Sequence, residues 1–275
     1  MSNRKDVPVY LFTGFLESGK TKFIQETLED RRFCNGERTL LLVCEEGEEE
    51  YAPEKFGFPG VTVEYITDKE QLNPQNLQNM AQKSECGRVI IEYNGMWLMN
   101  DLAEALPANW LVYQCIATAD GTTIKTYAND NAMRSLILDK LARSELLVVN
   151  RAEKVDDPES AQMIHKLVRQ ASRRCDIASE YADGSVRYDD IPDPLPFKLD
   201  APVIEIPEEF FGIWYMDCMD EPEKYNGKTV KFLAQVCQTN RAGKDCFVPG
   251  RFAMTCCVQD IQFVGFPCKY TGYAK

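Results

Sequence analysis

Eight consecutive residues, Gly14-Phe15-Leu16-Glu17-Ser18-Gly19-Lys20-Thr21, match the pattern G-x-x-x-x-G-K-[ST] and constrain this chain more than any other feature. The chemistry of the pattern demands a strand before it and a helix after it. Glycines let the backbone wrap a phosphate, and loop N–H groups and the positive helix N-terminus face the anion. The lysine adds a point charge, and the hydroxyl can ligate Mg²⁺. Both flanks comply: the apolar run 7–13 predicts a buried strand and residues 19–31 predict a helix. Gly14, Glu17, Ser18, Gly19, Lys20, Thr21 and Lys22 are therefore candidate cofactor-binding residues, with Thr21 a candidate Mg²⁺ ligand.

The pattern continues through the first two thirds of the chain. Apolar runs at 39–44, 61–66, 88–92, 110–118 and 146–150 read as strands, and 76–83, 97–105, 124–143 and 158–173 as helices. Strands apolar on both faces that alternate with helices predict an α/β fold, a mostly parallel sheet with helices on both faces. Residues 182–202, rich in Asp, Pro and Gly, read as a loop. Beyond a short helical stretch at 208–216, period-two alternation begins at Val230, with a turn at 240–244 and further strands at 246–257 and 261–270. The predicted organisation is a nucleotide-binding domain at 1–181, a connecting segment at 182–221 and a small antiparallel β module at 222–275.

Charge narrows the function classes. The net charge of −12 falls entirely within residues 1–205, because 206–275 carry eight Lys/Arg against eight Asp/Glu. An acidic chain is a poor binder of nucleic acid or anionic membrane. No apolar stretch is long enough to span a bilayer, so no membrane insertion and a cytoplasmic location are expected. Of eleven Cys, six (Cys218, Cys237, Cys246, Cys256, Cys257 and Cys268) lie in the last fifth or so of the chain. His165 is the only histidine, which removes most Ser-His-Asp and multi-His schemes, and it is expected at a surface or boundary position. Met96, Trp97, Met99 and Leu102, at helical spacing, read as core or partner surface.

The string Thr13–Thr21 resembles the opening of the CobW branch of the CobW/HypB/UreG family of P-loop GTPases, with Glu17 at a position where that family usually has Gly. Later strings fit the same order: Cys44-Glu45-Glu46-Gly47, Ile90-Ile91-Glu92-Tyr93-Asn94-Gly95 and Ala117-Thr118-Ala119-Asp120, so that the resemblance covers about residues 7–180. It implies a P-loop NTPase fold and a GTP-hydrolysing switch that uses GTP and Mg²⁺ in metallocentre assembly or metal delivery. Lys20, Glu45 and Glu92 are then the candidate catalytic residues. A carboxylate at Glu92, closing a central strand beside the loop, can hold Mg²⁺ or orient a water. Glu45 is the member of the acidic run 45–50 expected near Mg²⁺; the others read as a solvated loop. Gly47 and Gly95 offer the flanking loops freedom to move.

Two departures stand out. The base-recognition segment, N-K-x-D in GTPases, reads Asn150-Arg151-Ala152-Glu153 here, so Asn150 and Glu153 are the candidate base contacts and GTP is favoured over ATP. The family's C-x-C-C metal motif is missing, since the stretch from Cys44 to Cys86 holds only those two thiols. A zinc-type site is a candidate role for Cys237, Cys246, Cys256, Cys257 and Cys268; packing of a small β core is the plainer role for the same thiols. Residues 250–260 resemble the C-terminal domain of permease-associated bacterial membrane proteins. The expected partners are thus a nucleotide and a metalloprotein client or permease, with homo-oligomerisation allowed. Rival readings are a non-catalytic nucleotide-binding regulator and a P-loop small-molecule kinase.

Overall fold

Thr39-Leu-Leu-Leu-Val43 has no polar face, so as a strand it must be covered on both sides, and all five residues are buried. It is β2 in a computed structural model that describes residues 6–237, 246–254 and 261–269. The chain divides into two compact units, Met1–Ile191 and Pro192–Lys275.

The first unit runs β1 (Val7–Gly14), α1 (Lys20–Glu29), α2 (Arg31–Cys34), β2, β3 (Val61–Tyr65), α3 (Pro74–Ser84), β4 (Arg88–Glu92), α4 (Met99–Ala105) and β5 (Trp110–Asp120). It continues with α5 (Ile124–Asn129), α6 (Asn131–Leu141), β6 (Leu146–Asn150), α7 (Pro158–Ala171), β7 (Asp176–Glu180) and β8 (Val186–Tyr188). The strands form one sheet in the order β3-β2-β4-β1-β5-β6-β7-β8, parallel throughout except for β8. Buried side chains cover both faces. Leu40, Leu42, Val89, Ile91 and Tyr93 pack on one side, and Leu41, Val43, Ile90, Ile24 and Leu28 on the other. Because β1 lies between β4 and β5, the loop that follows it sits among the C-terminal ends of the central strands, where open α/β sheets bind ligands.

The structure corrects the reading of 124–143 as one helix. Asp130 leaves the helical region, and its carboxylate accepts the N–H groups of Ala132 and Met133, which ends α5 and caps α6. His165, expected at the surface or a boundary, is 2% exposed, and its Nδ1 lies 2.7 Å from Asp189 Oδ2. Met99 and Leu102 are core, whereas Met96 is exposed. In the connecting segment 182–221 the expected helical stretch is α8 (Phe211–Asp220), preceded by the strands β8 and β9 (Ile204–Ile206).

The second unit has its own core of Ile204, Ile206, Phe211, Trp214 and Tyr225. The single strand expected from Val230 onward is two, β10 (Val230–Phe232) and β11 (Gln235–Cys237), broken at Leu233-Ala234. β10 pairs with β9 in parallel, so this part of the module departs from the antiparallel expectation. β11, β12 (Cys246–Met254), β13 (Ile261–Gly265) and β14 (Cys268–Lys269) form the antiparallel sheet. Asp217 accepts the Tyr225 hydroxyl at 2.6 Å and Lys224 Nζ at 3.0 Å, which fastens α8 to the turn that follows it. Among the described residues, no helix is long and apolar enough to cross a membrane.

The Asp130 cap carries a prediction. Asp130→Ala should lower unfolding free energy by about 1 kcal/mol, the usual cost of losing a cap, as read by chemical denaturation.

Candidate functional site

β1 runs straight into the glycine loop, and α1 starts at Lys20 with Gly19 before it at φ 94°. A Cβ at residue 19 would lie 2.2 Å from the Asn150 side-chain amide nitrogen and would sit at a left-handed φ, so glycine suits this position on both counts. Asn150 Nδ2 donates to the Ser18 carbonyl, and the Ser18 and Thr118 hydroxyls are 2.6 Å apart. The loop is thereby tied to the ends of β5 and β6.

Lys20 is 3% exposed. It donates to the Gly14 and Phe15 carbonyls at 2.9 Å each and to Glu45 Oε2 at 2.6 Å. Thr21 Oγ1 donates to Glu92 Oε1 at 2.8 Å, and the Tyr51 hydroxyl donates to Glu92 Oε2 at 2.6 Å. Burial pushes the Glu92 carboxyl above the usual glutamate range, against the opposing pull of the Tyr51 and Thr21 hydroxyls and of the Lys20 charge. Burial and the Glu92 charge push the Tyr51 phenol up in turn. A buried carboxylate beside a hydroxyl is a hard-oxygen donor pair. It suits a small divalent cation whose remaining ligands are phosphate oxygens and water.

Glu46, Glu48, Glu49 and Glu50 are exposed, as the solvated-loop reading expects, but Glu45 is tucked in. Glu17 adopts φ 59°, and its Oε1 accepts the Glu48 N–H at 3.0 Å, so this P-loop side chain holds the acidic loop. Lys22 pairs with Glu180 at 2.8 Å. The Arg151 guanidinium grips Asp120 with two bonds, Nε to Oδ1 at 3.0 Å and Nη2 to Oδ2 at 2.6 Å. Burial raises the Asp120 carboxyl, but the Arg151 and Thr122 hydrogen bonds outweigh it and leave the group below the usual range.

These side chains line one cleft. Glu17, Gly19, Lys20, Thr21, Lys22, Glu45, Glu92 and Asn150 all face it, while Gly14 and Ser18 line a neighbouring cavity with Phe15, Thr118 and Tyr127. Glu153 stands exposed in the turn Ala152–Lys154 and is not among the lining residues. Sequence reasoning missed Tyr51, Arg151, Glu180 and Tyr181. Tyr181 and Ala182 open the β7–β8 turn, where the Gly184 N–H donates to the Tyr181 carbonyl at 2.9 Å. The pair Asp183-Gly184 was the available signal for that turn.

The thiols present a different picture. The ladder pairs Phe247 with Cys268 and Cys246 with Lys269, which places Cys246 and Cys268 on opposite faces. Cys237 pairs with Val248 and so shares a face with Cys246. Cys256 and Cys257 lie outside the described residues. Among the described residues, no group of three or more His, Cys, Asp or Glu side chains is arranged to hold a metal ion.

A strand-loop-helix of this form within such a sheet defines the P-loop nucleotide-binding fold. A family model described as the DUF1980 C-terminal domain matches residues 192–275, the extent of the second unit. No curated protein matches the chain. Similar solved structures include the Zn(II)-bound YjiA GTPase from E. coli, at 17% identity and TM-score 0.47, covering 65% of this chain and 59% of that one. The hydrogenase maturation factor HypB from Archaeoglobus fulgidus is similar at 16% identity and TM-score 0.43, covering 65% and 82%. The signal recognition particle receptor FtsY from Elizabethkingia anophelis, in complex with GDP, is similar at 15% identity and TM-score 0.40, covering 68% and 62%. The chain thus spans 59% of the length of YjiA.

The Glu92 environment sets a prediction. A carboxyl whose folded pKa is raised adds stability at low pH and loses it as pH rises through that pKa. Glu92→Gln should therefore match or exceed the wild-type Tm at neutral pH in chelator, with the difference shrinking as pH falls into the ordinary glutamate range. If Glu92 is a ligand for Mg²⁺, the same variant should lose any Tm gain that wild type shows on adding Mg²⁺ with nucleotide, read by differential scanning calorimetry.

Proposed function

We propose that the first unit binds and hydrolyses a guanine nucleotide with Mg²⁺ and works as a nucleotide-dependent switch. One observation supports this reading above the rest. Lys20 and Thr21, Glu92, and Asn150, from three separate stretches of chain, converge on one cleft at the C-terminal ends of β1, β4 and β6. Loop N–H groups and Lys20 would hold the β- and γ-phosphates, and Thr21 and Glu92 would hold Mg²⁺. The ion supplies charge neutralisation of the phosphate oxygens. Glu92 would also orient the attacking water. Asn150 and the Arg151-Asp120 pair would border the base.

From the sequence resemblance of residues 13–21 we infer further that the switch serves metallocentre assembly or metal delivery to a metalloprotein client, and from that of residues 250–260 that a permease is the alternative partner. Switching would follow from loops 45–50 and 93–98 sensing the γ-phosphate.

The test is calorimetric titration of non-hydrolysable GTP and ATP analogues with Mg²⁺ into wild type and Lys20→Ala. GTP analogue should bind in preference to ATP analogue, and the variant should bind about 100-fold more weakly, as expected for losing a charge-assisted contact. Failure of wild type to bind either analogue overturns the reading. Release of free phosphate from GTP separates a hydrolase from a kinase or a non-catalytic binder.

A further inference from the structure

An ammonium has three N–H donors, and Lys20 has committed all three: to Gly14, to Phe15 and to Glu45. The first two acceptors are carbonyls of the loop itself. Only Glu45 comes from elsewhere, from the segment after β2. Its other oxygen, Oε1, accepts the Gly95 N–H at 3.3 Å. Gly95 is pressed against the glycine loop, where a Cβ would lie 2.6 Å from the Gly14 carbonyl oxygen. One carboxylate thus bridges the P-loop ammonium and a backbone amide on the loop after β4.

We propose that the Glu45 carboxylate stands in for a terminal phosphate, and that it makes this chain discriminate nucleoside triphosphate from diphosphate. The inference rests on the nucleotide-binding reading above and deepens it. A γ-phosphate needs the Lys20 ammonium and an amide of the Gly95 loop, and two anions cannot share those donors at contact distance. A diphosphate, one phosphate shorter, competes with Glu45 for Lys20 alone and leaves its bond to the Gly95 amide in place. A triphosphate displaces it and frees the 45–50 loop, whose second anchor is the bond from Glu48 N–H to Glu17. With Mg²⁺ present, the displaced carboxylate gains a cation to face, so the penalty against triphosphate falls. The competing anion is intramolecular, and the divalent ion relieves it.

The experiment is titration of the full chain with GDP and with a non-hydrolysable GTP analogue, in chelator and in Mg²⁺, for wild type, Glu45→Gln and Glu45→Ala. In chelator, both variants should bind the triphosphate analogue about tenfold more tightly relative to GDP than wild type does. In Mg²⁺ that gain should shrink or reverse. Cleavage after Glu48, Glu49 or Glu50 by a glutamate-specific protease should speed up in wild type on adding the triphosphate analogue and not on adding GDP. Equal changes for both nucleotides in both variants, or no change, overturn the proposal while leaving nucleotide binding intact, the latter shown by the weaker binding of Lys20→Ala. If wild type binds neither nucleotide, the nucleotide reading fails and this inference fails with it.

Discussion

A lysine ammonium withdrawn from water must find three acceptors close at hand, and much of the first unit is arranged around satisfying Lys20. Removing a charge from solvent is costly unless it is paired and hydrogen-bonded. The pairing here is assembled from β1, the glycine loop and the segment after β2. Around it stands a second layer. Ser18 is held by Thr118 and Asn150, Glu92 by Thr21 and Tyr51, and Arg151 by Asp120. Each of these partners stands at or just beyond the C-terminal end of a strand or on the loops there. Strand order alone brings them to one place, since β1 is flanked by β4 and β5, and β6 follows β5. Sheet topology and site electrostatics are in this sense one construction.

Much of this was legible in the sequence, for identifiable reasons. A run such as Thr39–Val43 has no charged residue on either face and admits little besides a buried strand. The glycine loop was readable because its chemistry needs fixed residue types at fixed spacing. The break at Asp130 was not read, although Asn129-Asp130-Asn131 is rich in the side chains that cap helices; the apolar residues on either side hid it. The burial of His165 depends on Asp189, 24 residues away across β7 and β8, and no local pattern encodes that contact. The same holds for Tyr51 and Arg151, whose roles are set by partners 41 and 31 residues distant. Short-range chemistry shows in spacing, but long-range pairing emerges only once the sheet is built.

The second unit follows another logic. Its core is aromatic, with Trp214 packed at 4.7 Å from the Phe232 ring and 5.6 Å from Phe266. Aromatic rings bury much area per residue, which suits a small unit whose strands are short. That economy explains why period two was only partly visible: β10 and β11 are three residues each, too short to set a clear alternation.

The antiparallel edge strand β8 also shapes the cleft. A chain that ended its sheet on β7 would leave as a loose tail at the cleft rim. Instead the turn at 181–185 sends it back along β7, where Ala178 faces Tyr188 and the Asp189 N–H reaches the Ile177 carbonyl. The wall formed by Tyr181 and Ala182 is therefore a closed hairpin, clasped at its base by Asp189 and His165. A ligand that settles against it meets backbone already ordered, so the entropy of fixing that wall is spent at folding and not at each binding event.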